Sequence, residues 1–278
     1  MHDDRTKSFI VAMVCSDPPE GFDRWTLELI REEALAKDLA SISKESIRLI
    51  LQEHDLKPWR QASWCVAELD AEFIERMEAV LALYERAPSP SRPLICLDEK
   101  PVQLLDEVRP ASGLSQGHPR RVDYEYKRQG TCNVFCAVEP HRGQYYVKVT
   151  PNRKGAQFAR FLAELEKQYE DAEGIDLVMD NLNIHKEKWL IEEYGEQEGS
   201  RIWNRFTIQY TPKHGSWLNQ AEIAINMYAR QCLGKSRIPS IELLTKKSRA
   251  WQRVVNQKAV TIKWQFTRND ARQKFDYG

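Results

Sequence analysis

Two short apolar runs in this 278-residue chain end in an aspartate. Leu94-Ile95-Cys96-Leu97 leads into Asp98, and Ile175-Asp176-Leu177-Val178-Met179 leads into Asp180. A carboxylate at the end of a buried strand points from the sheet edge into the crevice where open α/β sheets bind ligands. One such aspartate commonly caps the next turn; two of them with a third acid are rarer. The third acid is Glu222, which follows Tyr210-Thr211-Pro212-Lys213-His214-Gly215-Ser216-Trp217-Leu218-Asn219-Gln220-Ala221 and falls in the first turn of an otherwise apolar helix with Ile223, Ile225 and Met227. A glutamate there is also favoured by the helix dipole alone, so a structural role stays open at this point. Three carboxylates converging at one edge would repel unless a cation neutralised them, and an oxygen-only donor set selects Mg²⁺ or Mn²⁺. Two such ions about 3.5–4 Å apart, held by shared carboxylates, serve in-line attack on a phosphodiester: one activates the attacking water or 3′-hydroxyl, the other stabilises the leaving oxygen.

Other chemistries find less support. Six cysteines (Cys15, Cys65, Cys96, Cys132, Cys136, Cys232) form no C-x-x-C pair, and three sit inside strand-like apolar runs. Reduced, buried thiols are expected rather than disulfides or a zinc site. The six histidines form no ligand-spaced cluster. No apolar run approaches the roughly 18 residues of a membrane span, and the start, Met1 to Phe9, lacks the form of a signal peptide. A cytoplasmic protein with no membrane partner is expected.

The elements that must position the acids are legible from spacing. Ala87-Pro88-Ser89-Pro90-Ser91-Arg92-Pro93 blocks helix and central strand and divides a front of about 90 residues from a body. In the front, Thr26 can cap a helix with Leu29, Ile30 and Ala34 on one face, Ser43 a second with Ile47, Ile50 and Leu51, and a third helix is expected from about Ser63 to Arg86. The first two resemble the outline of a helix-turn-helix, with a small helical bundle as the alternative. In the body, strands are expected at 94–97, 131–138, 144–150, 175–179 and 206–210, and helices at 155–169, 186–196, 220–233 and 241–256. This order gives an α/β fold: a mixed sheet with helices on its faces, whose first three strands are antiparallel neighbours.

A net charge of zero, from 41 basic and 41 acidic side chains, first argues against a nucleic-acid partner. Located along the chain, it is a cancellation: residues 1–90 carry 11 Lys+Arg against 18 Asp+Glu (−7), residues 91–200 carry 15 against 19 (−4), and residues 201–278 carry 15 against 4 (+11). The basic tail follows directly after Glu222. Lys235, Arg237, Lys246, Lys247, Arg249, Arg253, Lys258, Lys263 and Arg268 are expected to form a phosphate-contacting face.

The stretches Leu97-Asp98-Glu99-Lys100, Arg120 to Thr131, Met179-Asp180-Asn181-Leu182-Asn183-Ile184-His185-Lys186, Tyr210 to Glu222 and Ile262 to Thr267 together resemble the DDE transposases of the IS-six-thirty insertion-sequence family, relatives of the mariner elements. The resemblance spans about residues 24–275. It implies a ribonuclease-H-like fold for the body and a metal-binding catalytic triad of Asp98, Asp180 and Glu222. The implied partners are double-stranded DNA, both transposon terminal inverted repeats and target, bound by a homodimer or larger assembly. The implied setting is a bacterial, nucleoid-associated cytoplasmic protein. The implied reaction is cleavage at transposon ends, then joining of the freed 3′ ends to target DNA. It also makes Trp25 to Arg60 look like a helix-turn-helix, so the expected organisation is 1–22 N-terminal extension, 23–62 helix-turn-helix-like DNA-binding region, 63–93 helix and Pro-rich linker, and 94–278 catalytic domain with basic C-terminal helices. Two departures stand out. Only about 22 residues precede the first matching helix, as in an N-terminally shortened copy, and 41 residues separate Asp180 from Glu222, more than the family usually has. The extra length is expected in Gly195 to Asn204, between a helix and the last strand.

Further residues carry open roles. Lys44, Arg48, Lys57 and Arg60 would give the front a local basic face for weak, salt-sensitive DNA binding. Arg120, Arg121, Lys127 and Arg128 form a basic cluster that either meets DNA or is a solvated hairpin. Lys213, His214 and Trp217 either contact DNA or pack the loop, and Lys235 and Arg237 open the basic tail. Asn181 and His185 could line the site, with His185 alternatively a structural residue at a helix start. Glu99 faces the other side of its strand from Asp98 and reads as structural. A catalytically inactive DNA-binding remnant and a ribonuclease-H-like nuclease that cleaves without joining are the competing functions.

Overall fold

The computed structural model describes residues 4–37, 42–54, 56, 69–119 and 121–278. The chain divides into two compact units, Met1–Trp64 and Cys65–Gly278.

In the first unit, α1 (Asp4–Val14), α2 (Leu27–Ala36) and α3 (Lys44–Glu53) share one apolar cluster. Thr26 and Ser43 are the N-caps that the sequence predicts: their hydroxyls accept from the amides of Leu29 and Ser46, each satisfying a donor the helix cannot. Leu29, Ile30 and Ala34 on α2 and Ile47, Ile50 and Leu51 on α3 are buried together. Helix α1 lies in the stretch expected as an extension. Its Ile10, Met13 and Val14 complete the cluster, and their spacing of three and four is a helical signal masked by the unbroken apolar run Phe9 to Cys15, in which no polar face shows the period. Lys57, Arg60 and Cys65 lie outside the described residues.

The second unit comprises α4 (Ala71–Glu85), β1 (Leu94–Glu107), β2 (Tyr126–Glu139), β3 (Gln144–Thr150), α5 (Gly155–Lys167), β4 (Ile175–Met179), α6 (Lys188–Tyr194), α7 (Glu196–Trp203), β5 (Phe206–Tyr210), α8 (Ala221–Tyr228), α9 (Ile241–Lys258) and α10 (Arg268–Phe275). The strands form one mixed sheet in the order β3-β2-β1-β4-β5. β1, β2 and β3 are antiparallel neighbours, while β4 runs parallel to both β1 and β5. Strand alternation sorts the core into two layers. Leu94 and Cys96 of β1, Val134, Cys136 and Val138 of β2 and Val178 of β4 pack with α4, α8 and α9. Ile95 and Leu97, Phe135 and Ala137, and Ile175, Leu177 and Met179 pack on the other face with α5, α6 and α7.

Several elements differ from the sequence-based expectation, each for a local reason. β1 runs ten residues past Leu97, carried by its pairing with β2 across a register shift between Gln103 and Leu105. Its polar second half shows no hydrophobic run to reveal it. Of the helix expected from about Ser63 to Arg86, residues 63–68 lie outside the described residues; α4 begins at Ala71, where the Asp70 carboxylate accepts from the Phe73 amide and caps it. The helix expected at 186–196 is α6, and a further helix not expected from the sequence, α7, follows it across Gly195, whose φ of 83° suits glycine. Helix α8 stops at Tyr228 and continues as a π-helical turn over Ala229–Leu233. α10 starts from a reciprocal Thr267/Asp270 capping box. Cys15 is exposed, whereas Cys96, Cys132, Cys136 and Cys232 are buried free thiols.

Candidate functional site

Asp98 continues the parity of Leu94 and Cys96, so it projects on the α8 face of the sheet, opposite Cys136 of β2. The parallel pairing of β1 with β4 ends at Cys96 and Val178, two residues before each aspartate. Asp98 therefore lies within a long strand, just past the point where its neighbour β4 ends, and Asp180 is the first residue beyond β4. Where β4 stops, the sheet opens on that side.

Glu222 reaches this opening through a buried polar tether. The Asn219 side-chain amide donates to the Leu97 carbonyl at 2.8 Å, while its oxygen accepts from the Ala221 amide at 3.1 Å. One side chain thus holds the start of α8 against β1, one residue before Asp98. Tyr84 of α4 adds a second anchor, its hydroxyl donating to the Leu218 carbonyl at 2.7 Å. β5 stays in register with β4, Met179 opposite Tyr210, and α7 occupies most of the stretch where the extra length was expected.

Asp98, Asp180 and Glu222 are each half-buried. Burial first, then the charges of Glu99, Asp180 and Glu222, raise the Asp98 carboxyl to about 7, although the Glu99 amide donates to its Oδ1 at 2.7 Å and opposes the shift. Asp98 thus feels the charge of both other acids. His185 joins them on the other side. It is fully buried, its Nδ1 2.7 Å from Asp180 Oδ1 and its Nε2 3.3 Å from Glu99 Oε2. Burial pulls the imidazole pKa down, but Asp180 and Glu99 outweigh it and raise it to about 9.

A cavity of about 830 Å³ opens beside Asp180, lined in part by Asn181, Arg76 of α4 and the loop residues Lys213 and His214. Asn181 is exposed and accepts from Lys186, while Lys213 and His214 point outward. Trp217, from the same loop, packs inward against Phe266 and Phe275 at 5.6 and 6.4 Å between ring centroids. Arg121, Lys127, Arg128 and Lys235 are exposed, and Arg120 lies outside the described residues. Arg237 is committed within the fold: its guanidinium donates to the Asp123 and Glu125 carbonyls and lies over the Tyr126 ring. In the first unit, Lys44 pairs with Glu28 and Arg48 with Glu45. These cations are partly neutralised by their own neighbours.

The donor chemistry at Asp98, Asp180 and Glu222 fits a hard divalent cation: the oxygens are all carboxylate, and Asp98 feels the negative charge of both other acids. Among the described residues no three His, Cys, Asp or Glu side chains are already gathered as a ready ligand set. Asn219 is a site residue that sequence reasoning passed over. It stands inside the stretch from Tyr210 to Glu222, but only tertiary structure reveals its tether.

A mixed five-stranded sheet with helices on both faces is a ribonuclease-H-like fold, here with acids at its opened edge. The chain belongs to the DDE superfamily endonuclease family, whose model matches residues 93–245. No curated protein matches it in sequence. Among solved structures, the Mos1 transposase paired-end complex with left transposon end is similar over 91% of this chain and 74% of that one (TM-score 0.54, 16% identity). The Mos1 strand transfer complex is similar over 91% and 73% (0.55, 15%), and the mariner Mos1 paired-end complex with Mn over 91% and 74% (0.52, 15%). At these identities the likeness establishes a shared fold. Among the described residues no helix is long and apolar enough to cross a membrane.

Proposed function

We propose that this chain is a DNA transposase of the IS-six-thirty insertion-sequence type, which cleaves transposon ends and joins them to target DNA in a bacterial cytoplasm. The observation that carries the reading is that Asp98, at the opened sheet edge of a DDE endonuclease domain, feels the charges of both Asp180 and Glu222. Under this reading the three carboxylates hold Mg²⁺ or Mn²⁺, two ions in all. When bound, the ions supply activation of the attacking oxygen and neutralisation of charge on the leaving one. The chain's own residues do the positioning. Asn219 sets Glu222 against β1, β4 presents Asp180, and Lys213 and His214 at the cavity mouth offer donors to a phosphodiester backbone. The reaction needs no covalent protein intermediate, so positioning and charge neutralisation carry it.

DNA affinity under this reading comes mainly from exposed cations of the second unit, with α2 and α3 acting as a helix-turn-helix of weaker, salt-sensitive contribution. Joining two ends calls for a homodimer or larger assembly. The test incubates purified protein with Mg²⁺, labelled transposon-end DNA and a target plasmid. Insertion that is lost in Asp180→Ala supports the reading. Cleavage without insertion would instead mark a nuclease, and binding alone a remnant.

A further inference from the structure

Glu99 is a buried carboxylate with a poorly satisfied environment. It follows Ile95 and Leu97 onto the α5 face of the sheet, opposite to Asp98, and its side chain is 3% exposed. Burying a carboxylate is costly unless it is paired, and Glu99 has Arg153 at 4.0 Å and His185 Nε2 at 3.3 Å. Neither Glu99 oxygen makes an aligned hydrogen bond. Hydrophobic packing alone would favour leucine at this position.

His185 gives this buried charge a partner. Its ring packs tilted at 45° against Phe158 with centroids 4.8 Å apart, its carbonyl accepts from the Tyr210 hydroxyl at 2.8 Å, and its amide donates to the Leu182 carbonyl at 2.9 Å. The imidazole is thereby fixed in place with Nδ1 against both the carboxylate and the main-chain carbonyl of Asp180, 2.7 and 3.0 Å away. Nε2 meets Glu99. The ring thus links two carboxylates, one on the far face of β1 from Asp98 and one at the end of β4. A carboxylate-imidazole relay behind a ligating group fixes that group's orientation, and loss of such outer partners typically weakens metal binding about 10–100-fold.

We propose that Glu99 and His185 form a positioning pair that orients the Asp180 carboxylate for a divalent cation, Glu99 holding the imidazole and the imidazole holding Asp180. This rests on the reading of Asp180 as a metal ligand. Neither residue of the pair touches the reacting atoms; both act through Asp180.

The test measures Mn²⁺ binding to the full chain without DNA, by the loss of the free-ion electron paramagnetic resonance signal, with circular dichroism and thermal unfolding on every variant. Asp180→Asn reports on the underlying site. Glu99→Leu and Glu99→Met remove the buried charge while keeping volume, and Glu99→Gln keeps an acceptor for Nε2. The expected result is that Glu99→Leu and Glu99→Met melt no lower than wild type yet bind Mn²⁺ at least about tenfold more weakly, while Glu99→Gln stays within about threefold. A merely structural Glu99 would change the melt and leave Mn²⁺ affinity alone. Wild-type Mn²⁺ binding by folded Glu99→Leu or Glu99→Met, with Asp180→Asn impaired, overturns the positioning pair and spares the site. Wild-type binding by Asp180→Asn overturns the site reading itself. If neither apolar variant folds, equal Mn²⁺ affinities of His185→Gln and wild type overturn the pair, and a tenfold loss in His185→Gln supports it.

Discussion

Burial and three neighbouring carboxylates keep the Asp98 carboxyl protonated up to about pH 7, against an ordinary value of 3.8. For an acid whose folded value is raised, the ionised form is the one the fold disfavours. The contribution to stability is therefore complete below about 3.8 and is lost as pH climbs through about 7. Asp98→Asn is neutral at every pH and escapes this loss. In metal-free buffer, urea unfolding should show the variant gaining on wild type by about 1–3 kcal/mol between pH 4 and pH 7.5, and a divalent cation should reverse the order at the upper end. A pH-independent difference would refute the coupling. At this scale the two aspartates were legible because each follows an apolar strand. The use made of Glu99 was not. Alternation gives the face a side chain takes, whereas its meeting with His185 requires knowing that β1 and β4 are neighbours.

Elements fix how closely the acids approach. Asn219→Ala leaves the buried Leu97 carbonyl without its donor and α8 without its tether, so it should cost about 1–3 kcal/mol in denaturant unfolding. End cleavage should fall by more than the unfolded fraction explains, on the order of tenfold, because Glu222 shifts with the helix. Gly199→Ala provides the contrast. A Cβ there would sit 2.6 Å from the backbone of Leu190 and Ile191, where α7 crosses α6, and should destabilise by about 1–3 kcal/mol with cleavage per folded molecule unchanged. Strands β4 and β5 match their sequence-based bounds because both are short, punctuated and hydrogen-bonded through their whole length. The second half of β1, the break at Gly195 and helix α10 escaped because pairing partners, a glycine conformation and a capping box set them, and none of these changes the hydrophobic pattern.

Across the whole molecule, the zero net charge separates an acidic front from a basic tail of +11 over residues 201–278. Part of that tail is internally compensated: Arg268 pairs with Glu85 and Arg272 with Glu78, each at 2.8 Å. Arg249, Arg253 and Lys258 on α9 are exposed. Replacing these three by glutamine should lower the slope of log affinity against log salt by about 0.9 for each phosphate no longer neutralised, roughly 2–3 in total, when DNA binding is titrated between low and moderate salt. The same exchange at Lys44 and Arg48 should change the slope less, since Glu28 and Glu45 already answer their charge. An equal or larger effect from the front would contradict that division. Whether Asp98, Asp180 and Glu222 are ligands of one divalent-metal centre is tested most directly by a crystal structure of the protein soaked in Mn²⁺, with anomalous scattering to locate the ions. Manganese ligated by carboxylates of all three residues is the expected result, and manganese bound elsewhere, or by none of the three, would contradict it.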